Sequence, residues 1–168
     1  MVWPRSWRGG PTSDTWGVKI LLRDATMEDL PRLREVFRES SLSNEGDRAA
    51  LIDHPAALVF SATSLSGGRV RVATVEPDLI VGFATTVTEH GFLELVDLFT
   101  DPVWMRRGVA TRLIKDVVEF ATSIGAARVS VIGNPHALGF YQRVGFVAEG
   151  HVATDFGPGL RMHLMTPG

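Results

Sequence analysis

Between residues 92 and 121 the hydrophobic pattern changes period with no linker in between, and this constrains the fold more than any other feature of the chain. "FLELVDLFT" (92–100) reads as a strand. "DPVWMRRG" (101–108) is a turn with two arginines and a glycine. From Gly108 onward Val109, Ala110, Leu113, Ile114, Val117, Val118 and Ala121 recur at helical spacing, and Gly125 suits a left-handed cap at the far end. "ARVSVIG" (127–133) is the next strand. A strand fed directly into an amphipathic helix and followed by another strand requires the helix to cover a sheet.

The rest of the chain fits that layer arrangement. "VKILLRDAT" (18–26) reads as a strand. Thr26 with Asp29 resembles a capping box opening a helix over 27–40, whose Leu30, Leu33 and Phe37 share a face, with Pro31 in its first turn. "SLSNEGDRAALIDHP" (41–55) reads as a loop and a short helix that stops before Pro55. "RVRVATVEP" (69–77) and "LIVGFATTVTE" (79–89) are strands, the second joined through His90-Gly91 to 92–100 as an antiparallel neighbour. After a helix over 135–144, "FVAEGHVAT" (146–154) and "GLRMHLM" (159–165) close the chain as strands, the latter either a candidate edge for a homodimer or, equally well, an apolar strand covered within the monomer. The expected fold class is α/β in the α+β layered sense: a mixed, mostly antiparallel central sheet flanked by helices. It forms one domain over 18–168. Residues 1–17, rich in Gly, Pro, Arg, Trp and Ser, read as a flexible extension, with Trp3, Trp7 and Trp16 as an alternative clamp on a neighbouring surface.

Composition narrows the partners. A net charge of −2 offers no basic excess for a nucleic-acid backbone. With no cysteine there is neither a disulfide nor a thiolate nucleophile, and five histidines without close spacing make a metal site a poor expectation. No apolar run reaches membrane-spanning length and the first residues lack a signal-peptide core, so the expected compartment is the cytoplasm.

Chemistry concentrates at the 105–111 turn. A helix N-terminus presents unpaired N–H groups and partial positive charge, and a glycine lets the backbone approach an anion closely, so phosphate is the natural guest. Thr111 adds a hydroxyl, while Arg107 and Arg112 offer charge; the alternative is a solvated turn with surface arginines. The segment is neither GxxxxGK[ST] nor GxGxxG.

Downstream stand Asn134, Ala137, Tyr141 (the single tyrosine of the chain), Gly145 and Phe146, in the spacing N-x-x-A-x-x-x-Y-x-x-x-G-F. Together with the RRGVA turn this resembles the GCN5-related N-acetyltransferase family, specifically over residues 87–147 and more loosely from Ile20. The resemblance implies acetyl-CoA as co-substrate, its diphosphate cradled by the amides of Arg106, Arg107, Gly108, Val109, Ala110 and Thr111. Met105 departs from the usual Gln or Arg. Leu98, Phe99 and Thr100 fall where the family's fourth strand bulges and splays from the fifth, pairing with the pantetheine arm and offering an oxyanion donor. Asn134 and Ala137 would flank the thiol end, and Tyr141 would be the general acid, against a plain packing role with Phe140 and Phe146.

For the base, Glu94 is preferred on register, with Asp97 in reserve either as the base or as an anchor for a cationic substrate. Strict alternation sends the two to opposite faces unless a bulge intervenes, and an exposed or salt-bridged carboxylate is the plain alternative for both. Asn44, Glu45 and Asp47 lie where the family varies its acceptor pocket, although a solvated loop serves as well. The implied activity is direct acetyl transfer to a primary amine of a small molecule or peptide in a ternary complex; the competitor is a non-catalytic acyl-CoA sensor.

Overall fold

The computed structural model describes residues 17–168; the expected extension over 1–17 and its three tryptophans lie, but for Gly17, outside the described residues. Seven strands form one mixed sheet: β1 (Leu21–Asp24), β2 (Arg69–Val75), β3 (Leu79–Glu89), β4 (Phe92–Thr100), β5 (Arg128–Gly133), β6 (Val147–Thr154) and β7 (Gly157–Met165). Their order is β1-β2-β3-β4-β5-β7-β6, antiparallel except for the β4–β5 pair. Of the two readings of the last strand, the structure therefore selects the covered one. β7 lies inside the sheet between β5 and β6, and β6 is the edge, because the last hairpin returns into the sheet beside β5.

The helices are α1 (Leu30–Leu42), α2 (Glu45–Asp53), α3 (Ala62–Ser66), α4 (Val109–Ser123) and α5 (Leu138–Arg143). The Thr26–Asp29 capping box forms, with the Thr26 N–H donating to Asp29 Oδ2 at 2.8 Å. Short 3-10 turns over Pro55–Leu58 and Pro102–Trp104, and the small helix α3, have no apolar periodicity long enough to be read in advance. Among the described residues no helix is long and apolar enough to cross a membrane.

Two cores sit on opposite faces of the sheet. On one face, α4 buries Val109, Leu113, Ile114, Val117, Val118 and Ala121 against Val81, Ala84, Leu93, Leu95, Val129 and Val131. On the other, Leu30, Leu33 and Val36 of α1 cover Val72, Ile80 and Phe83. Gly125, at φ +72°, ends α4 as its pattern suggests: its own N–H reaches Thr122 O at 3.1 Å and the Ala126 N–H reaches Ala121 O at 2.9 Å.

The first turn of α4 is seated unusually close to the sheet. A methyl group on Gly82 would come within 2.7 Å of Val109 Cγ1 and 2.9 Å of Phe99 O, so glycine there sets the separation between helix and strand. Gly82→Ala is expected to lower the unfolding free energy by roughly 1–3 kcal/mol through overpacking, read as a reduced midpoint in urea denaturation.

Candidate active site

The two parallel strands stay paired over three positions only: Leu93↔Val129, Glu94↔Ser130 and Leu95↔Val131. Beyond them β4 continues alongside β3 to Thr100, whereas β5 continues alongside β7 to Gly133. The sheet thus opens at the carboxyl ends of two neighbouring parallel strands, a position where α/β sheets commonly take ligands. The split coincides with a bulge. Thr85 faces Asp97 while Thr86 faces Leu95, which leaves Val96 as an extra residue, 53% exposed. The bulge is therefore two residues earlier than the Leu98–Thr100 position expected for it.

The extra residue resets the alternation of β4. Leu93, Leu95 and Leu98 pack in the α4 core and Phe99 in the α1 core, so Glu94 and Asp97 come to share the α1 face. Glu94 is flanked by strands on both sides, by Val87 and Ser130, whereas Asp97 lies just beyond the last β4–β5 pair. Burial pushes the Asp97 carboxyl above the usual range, partly offset by the Thr85 hydroxyl opposite it. The Asp101 N–H donates to Val81 O at 2.8 Å, and alternation then directs the amides of Leu98 and Thr100 away from β3, into the opening. The Phe99 backbone faces β3 instead.

Asp101 pins the end of β4. This carboxylate is only 6% exposed; it accepts Arg32 Nη2 from α1 at 2.6 Å and the Val103 N–H at 2.9 Å. The turn that follows has Arg106 at φ +60° and Gly108 at φ +83°. The first helical bond of α4 runs from the Arg112 N–H to Gly108 O at 3.0 Å. The helix therefore makes no use of the amides of Val109, Ala110 and Thr111, which remain at its positive end beside the opening. Nothing lies within 4 Å of where a Gly108 side chain would begin, so glycine serves the backbone angle there. The Arg107 guanidinium lies over the Trp104 ring at 5.0 Å, while Arg106 and Thr111 are exposed.

At the end of β5, the Asn134 side chain accepts the His136 N–H at 2.9 Å and caps the 3-10 turn Pro135–Ala137 that leads into α5. Tyr141 of α5 is 7% exposed and does pack against Phe140 and Phe146, each ring centroid 5.3 Å away. Its placement is over-determined. The Phe146 N–H donates to Tyr141 O at 2.9 Å across Gly145 at φ +104°, and a methyl on Gly133 would stand 3.0 Å from Tyr141 Cε2. The ring therefore lies against the last residue of β5, where the sheet opens.

A family model described as an acetyltransferase (GNAT) domain matches residues 56–166, more than half of the chain. The chain belongs to the GNAT acetyltransferase family. Acyl transfer is the chemistry of that family, and the layered fold recurs in solved structures. A GCN5-related N-acetyltransferase from Rhodopseudomonas palustris is 24% identical, with a TM-score of 0.69 over 86% of this chain and 94% of that one. The PaiA N-acetyltransferase from Thermoplasma acidophilum, solved in complex with coenzyme A, is 18% identical, with a TM-score of 0.71 over 88% and 99%. Ard1 from Thermoplasma volcanium is 17% identical, with a TM-score of 0.67 over 89% and 99%. No curated protein sequence matches the chain.

Burial pushes the Tyr141 phenol up to about 12. Because the folded state keeps this proton where the unfolded chain, near 10, has lost it, the contribution to stability is intact below about pH 10 and lost as pH rises through about 12. As the single tyrosine, Tyr141 alone should produce the phenolate absorbance in a spectrophotometric titration. The folded protein is expected to titrate well above the urea-unfolded one.

Proposed function

We propose that the chain is an acetyl-CoA-dependent N-acetyltransferase acting on a primary amine by direct transfer in a ternary complex. The observation that carries this reading is the opening between β4 and β5 with the amino end of α4 at its mouth. Unused amides at a helix N-terminus suit a diphosphate, and the outward-directed amides of Leu98 and Thr100 suit an amide-bearing arm lying along a strand. The residues fit the coenzyme. Bound there, acetyl-CoA supplies an acyl group activated as a thioester.

The Val109, Ala110 and Thr111 amides hold the diphosphate, with those of Arg106, Arg107 and Gly108 completing the cradle and the arginine side chains adding charge at its rim. Asn134 and Ala137 flank the far end of the arm. The Leu98 amide points into the opening and stabilises negative charge developing on the acyl oxygen. Asp97 takes a proton from the incoming ammonium so that a neutral amine attacks, and its raised pKa improves it as a base. Glu94, on the same face but inside the paired part of the ladder, provides negative charge that favours a cationic acceptor.

Tyr141 holds a proton at Oη and yields it to the departing sulfur. A thiol near 8.5 in water is a weak match for a phenol near 12, but the same dry walls raise the thiol as well and narrow the gap. Orientation supplies the remainder of the acceleration.

Tyr141→Phe is expected to bind coenzyme A with unchanged affinity in calorimetry while losing roughly 100-fold in turnover. Unchanged turnover would remove Tyr141 from the chemistry. Asp97→Asn is expected to lower kcat by about 10²–10⁴ at neutral pH, with the deficit shrinking at alkaline pH where the amine is already neutral. A mass-spectrometric screen of amines with acetyl-CoA identifies the acceptor, and absence of any heat of association with coenzyme A would overturn the reading.

A further inference from the structure

Helix α2 lies beside α1 and has no fully buried residue, Leu51 being half-buried. Side-chain contacts at its two ends add links to segments distant in the chain. At the amino end, Asn44 Oδ1 accepts the Gly46 N–H at 3.1 Å, and Asn44 Nδ2 donates to Asp47 Oδ2 at 3.0 Å. The same Asp47 oxygen accepts from Asn134 Nδ2, a residue 87 positions away at the end of β5. Gly46 lies so close to the next segment that a methyl there would stand 3.0 Å from His136 Nε2. At the carboxyl end, the His54 ring meets the edge of Phe156, in the turn between β6 and β7, at 6.2 Å between centroids. Asp47 therefore joins two asparagine caps: one opens α2, and the other opens the turn that carries the chain to Tyr141.

We propose that Asp47 is a positioning residue of the acyl-transfer site, tying the placement of α2 to the state of the segment that begins at Asn134. This rests on the reading of the β4–β5 opening as a coenzyme A site. A carboxylate that accepts two amide donors makes a charge-assisted link stronger than an ordinary surface contact. Asn134 stands where β5 ends, so a molecule filling the opening restrains it. Through Asp47 that restraint passes to α2, and a ligand on the cofactor side thereby fixes a wall of the side from which an acceptor approaches. Linkage makes the effect reciprocal: whatever docks α2 also tightens coenzyme A.

The test is hydrogen–deuterium exchange of the full chain with and without coenzyme A, in the native protein, Asp47→Ala and Asp47→Asn. In the native protein coenzyme A is expected to slow exchange over 45–53 about fivefold or more. Asp47→Asn keeps an oxygen acceptor of the same shape and should retain much of that slowing. Asp47→Ala should lose it while still showing slowing over 109–113, and should bind coenzyme A about fivefold more weakly in calorimetry, as reciprocity requires. If coenzyme A protects 109–113 but leaves 45–53 unchanged in the native protein, or protects 45–53 equally in Asp47→Ala, the positioning role is overturned and the coenzyme site stands. If coenzyme A protects neither segment and does not bind, both fall.

Discussion

The site depends on a ladder that stops. Three pairs join β4 to β5, and beyond Leu95 and Val131 each strand keeps its other neighbour but loses this one. Unpaired backbone amides inside a protein are costly unless something answers them, so a sheet that parts in this way invites an extended polar guest. The same point is where Val96 bulges out, so the loss of pairing and the turning of Asp97 toward the α1 face come from one inserted residue.

Around that opening the protein is rigid on one side and lightly held on the other. Asp101, bound by Arg32 and by the Val103 N–H, anchors the turn to α1, while Gly82 lets Val109 settle onto β3 and Asp116 holds Arg69 and Arg71 of β2 against α4 at 2.9 and 3.1 Å. The turn before α4, its first residue and its middle are thereby each fixed to neighbouring elements. Across the opening, α2 lies beside α1 and is linked to Asn134 through Asp47 and to Phe156 through the ring of His54, with no residue fully buried. On the proposed reading, the first side is the one that would hold coenzyme A and the second the one an acceptor would approach.

Much of this was legible in the residue order because the informative signals are local. Helical spacing over 109–121 located α4 and its buried face, and Gly125 and Gly145 marked the ends of helices whose closing bonds are observed. The Thr26–Asp29 box formed, and α2 stopped before Pro55. What was not legible is non-local. The bulge at Val96 comes from a register between β3 and β4 that no spacing within β4 reveals, so alternation alone misplaces Asp97 relative to Glu94. Likewise residues 159–165 read equally well as an exposed edge or as a covered strand, and only the pairing with β5 decides between them. The bond from Asp47 to Asn134 joins segments 87 residues apart, and a polar helix start such as "SNEGD" carries no sign of what it will meet.

A helix with no fully buried residue also tolerates change cheaply. Substitutions along the outward positions of α2 cost little stability, whereas any side chain at Gly82 disturbs the seat of α4. On the proposed reading, the outward positions of 45–53 other than Asp47 are where new acceptors can be explored, whereas a change at Asp47 reaches the coenzyme side as well.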